Sequence, residues 1–389
     1  MRVGIDLRPM ESHSKGRGIG YYNLNLFSRV LKNPASKNFI LYTKFFSDLP
    51  KSLTGNFWKV PIVLRPVRAV RKFDPLVWFF WLLALRIKKP QLLHITSLFE
   101  VYYLSVPKNI PTVVTIYDLI PMLFDKQFFD NEKARDWYIR RLNQVKKAVK
   151  VITISESAKK DIMKILKIPS NKIEVVYCGI DERFIPVDKS KARKILKEKY
   201  EINQRFVLSV GSTTINKNIP AIFESFKVYT TENQVNDLKL VVVCKLESQE
   251  KRHWQKRIKQ LGMEEKIIFT NFVPDKDIPV FYSGAEVLLF PSIYEGFGLP
   301  VAEAMACGCP VITSNTSSLP EVGGKAAVYV NPLSIESIVK GLEKVLEDKN
   351  LQKKMIKEGL KQSRKFNWEK SAEQTIKIYQ DLVRPSVLK

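Results

Sequence analysis

The chain has 389 residues, of which 45% are hydrophobic and 26% charged; this suits two globular domains and excludes a disordered or fibrous polypeptide. Its net charge of +25 favours anionic partners or substrates, but no zinc-finger spacing, RNP aromatics or helix–turn–helix pattern accompanies the charge, so nucleic acid is not expected. Four cysteines (Cys178, Cys244, Cys307, Cys309) make no disulfide framework, and the Cys307–Cys309 pair lacks the second pair that a metal site would need.

Taken in order, the N-terminal half alternates short apolar strands with helical patterns, the signature of a doubly wound parallel sheet. Val3–Ile5 opens it with no secretory leader ahead. The loop Lys15–Gly20 follows, with Gly16, Gly18 and Gly20, then a helix from Tyr21 to about Leu31; three glycines between strand and helix can cradle an anion on backbone N–H groups. Strands are predicted at Phe39–Tyr42 and Val60–Val63. The longest apolar run, Leu76–Leu85, is about half of what a membrane-spanning helix needs. It holds Trp78 and Trp81, with Arg65, Arg68, Arg71 and Lys72 before it and Arg86, Lys88 and Lys89 after it. That describes either an interfacial segment on an anionic membrane surface or a core helix with basic ends. Leu92–Ile95 is a buried strand, with His94 a satisfied core histidine. Thr112–Ile116 is another. It ends in Tyr117 and Asp118, at the carboxyl edge where such sheets hold ligands. After Val151–Ile154, Ser155 is a good N-cap for a helix Glu156–Leu166. Residues 1–185 then read as the first domain, ending near Tyr177–Asp181, and the Lys-rich stretch 186–204 as its linker and connecting helix.

A second α/β series, 205–366, starts at Phe206–Val210. The polar loop Gly211-Ser212-Thr-Thr-Ile-Asn-Lys217-Asn218 lies between that strand and a helix from Ile219, which favours a phosphate contact by Lys217. Asp275-Lys-Asp277 is helix-opening chemistry after Pro274, not a metal motif. Between the strands Glu286–Phe290 and Pro310–Thr313 lies Glu295-Gly296-Phe297-Gly298-Leu299-Pro300, followed by a short helix that holds Glu303 and stops before Gly308. This turn aims free N–H groups and a helix dipole at whatever fills it. Phe297 between two glycines lets the backbone approach a ligand closely. Glu295 and Glu303 cannot share a helical face, so two different jobs are expected. Helices at Ser334–Leu346, Asn350–Phe366 and Glu369–Val383 finish the chain.

Glu-Gly-Phe-Gly-Leu-Pro with a second Glu eight residues after the first resembles the E-x7-E signature of retaining GT-B glycosyltransferases, particularly glycosyltransferase family 4. The resemblance implies two Rossmann-like domains facing an interdomain cleft, with residues 367–389 packing back on the first. It implies a nucleoside diphosphate sugar donor with Glu295 at the transferred sugar, the amides of Gly296 to Leu299 near sugar and diphosphate, and Glu303 on the ribose. It gives Gly18 and Gly20 a place facing the diphosphate, and Gly211, Ser212, Lys217 and Asn218 a place in the phosphate loop, although Asn216 stands where the family has Arg. Tyr117 and Asp118 stand where the family usually shows His-Asp, and Cys178 where it has Asn. On this resemblance the catalytic set is Glu295, Lys217, Tyr117 and Asp118, with no cofactor and no metal. The Asp-Leu-Ile-Pro run at 118–121 looks like mannosyl- and rhamnosyl-transferring members, which points to GDP-mannose ahead of a UDP- or dTDP-sugar. The expected acceptor is a glycan or lipid-linked intermediate at the cytoplasmic face of the membrane. Rival readings are a nucleotide-sugar epimerase of the same fold and a non-catalytic scaffold.

Overall fold

Strands buried on both faces read as unbroken apolar runs, and here they form all-parallel sheets with helices as crossovers. The computed structural model describes residues 1–11, 18–44, 53, 55–60, 74–99, 106–270 and 272–383. The chain divides into two compact units, 1–179 with 367–389, and 180–366.

The first unit holds β1 (Val3–Asp6), β2 (Ile40–Lys44), β3 (Asn56–Val60), β4 (Leu92–Ile95), β5 (Thr112–Thr115), β6 (Lys150–Thr153) and β7 (Ile173–Val175), in the order β3-β2-β1-β4-β5-β6-β7. Every pairing is parallel. The order reverses between β1 and β4. His94 on β4 is buried, its Nε2 2.7 Å from Thr115 Oγ1 and its Nδ1 against the Tyr379 hydroxyl. Burial lowers its pKa to about 3, so the ring is a neutral tie inside the core. The helix Trp368–Val383 lies in this unit against the helix Gly18–Val30. Arg29 pairs with Glu369 at 2.6 Å. Gly179 allows the entry of Trp368, because a Cβ there would sit 2.3 Å from the Trp368 amide nitrogen.

The second unit holds β8 (Arg205–Val210), β9 (Leu238–Val243), β10 (Ile267–Phe269), β11 (Val287–Phe290), β12 (Val311–Ser314) and β13 (Ala327–Val330), in the order β10-β9-β8-β11-β12-β13. The order reverses between β8 and β11. Ligands of doubly wound sheets bind outside the carboxyl ends at such a switch point, so the loops after β8 and β11 are the ones that matter.

Several expectations need correction. The glycine loop is shorter than expected: helix begins at Gly18, so Gly18 and Gly20 are first-turn helical residues, and Gly16 lies outside the described residues. The strand expected at Val60–Val63 is Asn56–Val60, with 61–63 outside the described residues, as are Arg65, Arg68, Arg71 and Lys72. The connecting helix expected within 186–204 is Lys189–Tyr200, and it belongs to the second unit, packed on the helix Ile278–Gly284. Several elements were not foreseen, among them the short helices Ile120–Leu123, Asp125–Phe128 and Leu319–Gly323. The helix Ser248–Leu261 buries only Trp254 and Ile258 among charged side chains, too few for a clear period, and β13 is a half-buried edge strand.

Candidate active site

Two loops meet at the switch point of the second sheet. After β8, Gly211 turns the chain at φ +149, and the Lys217 side chain passes 3.6 Å from where its Cβ would be. Residues Ile215–Lys217 make one turn of 3-10 helix, and Asn218 follows in the left-handed region at φ +59. Asparagine tolerates that conformation because its short amide can bond locally. Here Asn218 Nδ2 donates to the Pro291 carbonyl at 3.2 Å and the Pro332 carbonyl at 2.7 Å, locking one loop to its neighbours. Asn216 does the same, donating to the Tyr294 carbonyl at 3.0 Å while its own carbonyl accepts from the Ile293 amide at 2.8 Å.

These ties fix Lys217 against Glu295. Lys217 Nζ lies 2.7 Å from Glu295 Oε1, with side-chain exposures of 17% and 10%, and 5.0 Å over the Phe290 ring. The turn carrying Glu295 is held from β12 and the residues after it: the Glu295 amide donates to Ser317 Oγ at 3.0 Å, and Ser318 Oγ donates to the carbonyls of Glu295 (2.9 Å) and Phe297 (2.7 Å). Ser317 and Ser318 carry no motif of their own, and only the fold brings them here. Phe297 turns its ring into the core, edge-on to Phe366 at 5.2 Å. Gly298 has φ +106, and a Cβ there would meet Leu319 Cδ2 at 2.7 Å, so the position accepts only glycine. The helix Leu299–Ala306 starts here with no side-chain cap on its first amides, the arrangement that receives an anion. Ser212 stands at the exposed lip, 2.9 Å from Thr214 Oγ1.

Glu303 projects from this helix and accepts a hydrogen bond from the Tyr282 hydroxyl at 3.0 Å. Burial pushes its carboxyl up to about 7; Tyr282 and the Arg183 cation pull it down, while Asp275 and Asp181 add to the rise. Such a perturbed acid beside a switch point marks functional sites. Tyr282 was not singled out from the sequence, because nothing in Phe-Tyr-Ser-Gly distinguishes a core tyrosine from one that holds an acid.

In the first unit Tyr117 and Asp118 follow β5 as expected, but their polar groups are engaged locally. The Tyr117 hydroxyl lies 2.9 Å from Asn23 Oδ1 and 2.8 Å from the Thr96 carbonyl, and its ring stands edge-on to Tyr22. Asp118 Oδ1 accepts from the Ile120 amide at 3.0 Å, capping the next turn. So Lys217, Asn218, Glu295, the 296–299 turn and Glu303 gather on the second sheet's carboxyl edge, while Tyr117 and Asp118 sit on the first sheet's. Among the described residues no group of three His, Cys, Asp or Glu side chains could hold a metal ion.

Comparison with known proteins agrees with this architecture. Residues 39–184 match the Glycosyltransferase Family 4 model and residues 191–362 the model of Glycosyl transferases group 1. The serotype-specific mannosyltransferase WbdA of Escherichia coli is 30% identical over 76% of this chain, an alignment that spans only 37% of that longer protein. The O-antigen chain mannosyltransferase B of the same organism is 26% identical over 93% of this chain and 95% of its own. In fold, sucrose-phosphate synthase from Thermosynechococcus elongatus superposes with a TM-score of 0.79 at 20% identity, over 99% of this chain and all of its own. Two consecutive family models, two parallel sheets and the Glu-x7-Glu turn agree, and the chain belongs to the group 1 glycosyltransferases of family 4, with the GT-B fold.

Proposed function

We propose that the protein transfers a hexosyl unit from a nucleoside diphosphate sugar to a hydroxyl of a glycan or lipid-linked acceptor during surface polysaccharide synthesis, with GDP-mannose as donor. The observation that carries this reading is the Lys217–Glu295 pair beside the uncapped helix that bears Glu303. A diphosphate is already a good leaving group, and what it needs is stabilisation of the charge that develops as the sugar bond breaks. An ammonium has three donors, so Lys217 can keep Glu295 and still reach a phosphate oxygen. The N-terminus of the Glu303 helix supplies a second positive end, and no metal is then required. Glu295 meets the transferred sugar and Glu303 the ribose. With no second carboxylate placed as a nucleophile in this unit's turn, retention by front-face substitution through an oxocarbenium-like state fits better than a covalent intermediate. The two mannosyltransferase relatives support mannose as the sugar, with a UDP- or dTDP-sugar as the alternative donor. The first unit takes the acceptor on the edge that holds Tyr117 and Asp118.

An anionic membrane surface fits the helix Asp74–Lys88. Its inner side buries Trp81, Ala84 and Leu85, while Phe79 (58%), Leu82, Leu83 and Ile87 (55%) line the outer side at helical spacing. Thus the helix is neither wholly core nor wholly interfacial. Ile87 and Lys88 also border a hollow of about 560 Å³ with Arg2 and Lys37. Apolar side chains ringed by cations match an anionic bilayer. No described helix is long and apolar enough to cross one.

The test is a thermal-shift panel of GDP, UDP, dTDP and ADP, with and without magnesium, on the wild type and Glu303→Ala. Stabilisation of the wild type by one nucleotide without magnesium, lost in the variant, is expected. Stabilisation by none would overturn the reading and leave the scaffold.

A further inference from the structure

Glu303 sits in a setting that stability alone does not explain. It is the one charged side chain of the helix Leu299–Ala306, and the ordinary way to bury such a group is beside a cation, which Glu286 of the same unit has several times over. Glu303 instead has a neutral phenol. Tyr282 is fully buried on the helix Ile278–Gly284, its ring against Phe184 at 6.1 Å, and its hydroxyl donates to Glu303 Oε2. Desolvation holds that hydroxyl in its neutral, donating form. One carboxylate oxygen of this half-buried side chain is therefore occupied from inside, which leaves Oε1 for a donor from outside the fold.

We infer that Tyr282 is a positioning residue for nucleotide binding: its buried hydroxyl fixes Glu303 in its rotamer and favours the carboxylate over the acid, so that Oε1 is presented to a hydroxyl of the donor's nucleoside. This rests on the reading of the protein as a nucleotide-sugar enzyme with Glu303 at the donor. A carboxylate accepts a stronger hydrogen bond than a carboxylic acid, so nucleotide affinity depends on that ionisation. The other groups facing Glu303 are Arg183 and Asp181 on the segment before the helix Lys189–Tyr200, Asp275 before the helix Ile278–Gly284, and Cys307 at the end of its own helix. None of them changes in the experiment below, so none moves the comparison.

The experiment is a double-mutant cycle with Tyr282→Phe and Glu303→Gln, reading the Kd of whichever of GDP, UDP, dTDP or ADP binds the wild type, at pH 6 and pH 9. Titration of the nucleotide's phosphate is common to all four proteins and cancels in their ratios. Losing the phenol's hydrogen bond moves the carboxyl up by about one pH unit, so the Tyr282→Phe to wild-type ratio of Kd should fall about tenfold from pH 6 to pH 9. In the Glu303→Gln background the Tyr282→Phe effect should largely vanish. A ratio that is flat with pH, or an equal loss in the Gln background, would show that Tyr282 acts through the fold and would overturn the inference while nucleotide binding stands. A wild type that binds none of the four sinks the functional reading and this inference together. Melting temperatures of the unliganded variants confirm that the proteins compared are folded.

Discussion

Strand β11 has a buried glutamate at its entry and an acidic site past its exit, and the two ends are built on opposite principles. At the entry, Glu286 takes Lys189 at 3.1 Å, Arg205 at 3.3 Å, Lys349 at 3.9 Å and Arg193 as well. Burial raises its carboxyl, but Lys189, Arg193 and Arg205 more than offset that and bring it to about 2. At the exit, Glu303 has a phenol and a distant guanidinium and stands at about 7. An acid that holds a structure together is surrounded by compensating charge. Glu303 is left under-compensated, as suits an acid proposed to receive a ligand, and its raised carboxyl records the difference from Glu286.

The largest effect should come from the structural end. Glu286→Ala leaves several cations facing each other where the helix Lys189–Tyr200 joins the sheet, and should lower the unfolding free energy by about 3–5 kcal/mol in urea titration. A loss below about 1 kcal/mol would mean that the cluster is a solvated ornament and the contrast is false. At the exit end, Lys217→Ala should cost about 3 kcal/mol in kcat/KM, and should weaken binding of a nucleoside diphosphate far more than of the nucleoside. Equal losses for both would remove Lys217 from the diphosphate. Glu303→Ala should weaken the nucleotide by about 1–3 kcal/mol, and an unchanged affinity would take Glu303 off the ribose.

A smaller effect separates the two acids by sign. The folded carboxyl of Glu303 is raised from 4.5 to about 7 while the unfolded one is ordinary, so the folded state binds the extra proton in between. Its influence on stability is best at low pH and worsens as pH rises through that window. Glu286 is lowered, so its contribution is present above about pH 4.5 and lost as pH falls toward 2. Stability measured at pH 5 and pH 8 should fall less in Glu303→Gln than in wild type, by about 2 kcal/mol; an identical fall would mean that Glu303 is not raised. The smallest effect on folding belongs to the first unit. Replacing Phe79 and Ile87 with Ser should leave stability within about 0.5 kcal/mol, because both are exposed, yet reduce sedimentation with anionic vesicles. Unchanged sedimentation would remove this helix from any lipid surface.

Much of this was legible in the chain. Short apolar runs marked β1, β2, β4, β5, β6, β8, β11 and β12 within a few residues, β3 was placed a few residues late, and the half-buried β13 escaped. Local chemistry was equally readable where it is local: Ser155 accepts from the Ala158 amide as an N-cap should, and Gly298 and Gly308 both have positive φ. The Glu-x7-Glu turn was legible as a strand–turn–helix, its two glutamates stood out through the family resemblance, and Lys217 stood out by its place between a strand and a helix.

By itself the sequence determined which segments are strands and helices, because those depend on neighbours within a few residues. It determined which residue types could meet a phosphate or a sugar. What only the tertiary structure decided is who stands beside them. That Lys217 lies 2.7 Å from Glu295, 78 residues on, follows from β8 and β11 being adjacent at the point where strand order reverses. That Tyr282 reaches Glu303 and Ser318 ties the turn follows from helices and strands packed across the same edge. The helix at Gly18 and the apolar outer side of Asp74–Lys88 were decided in the same way, since burial on one face is a property of the neighbours and not of the segment. Ionisation is decided there too: a glutamate's charge depends on how much water and how many cations surround it, and those are set only when distant parts of the chain come together.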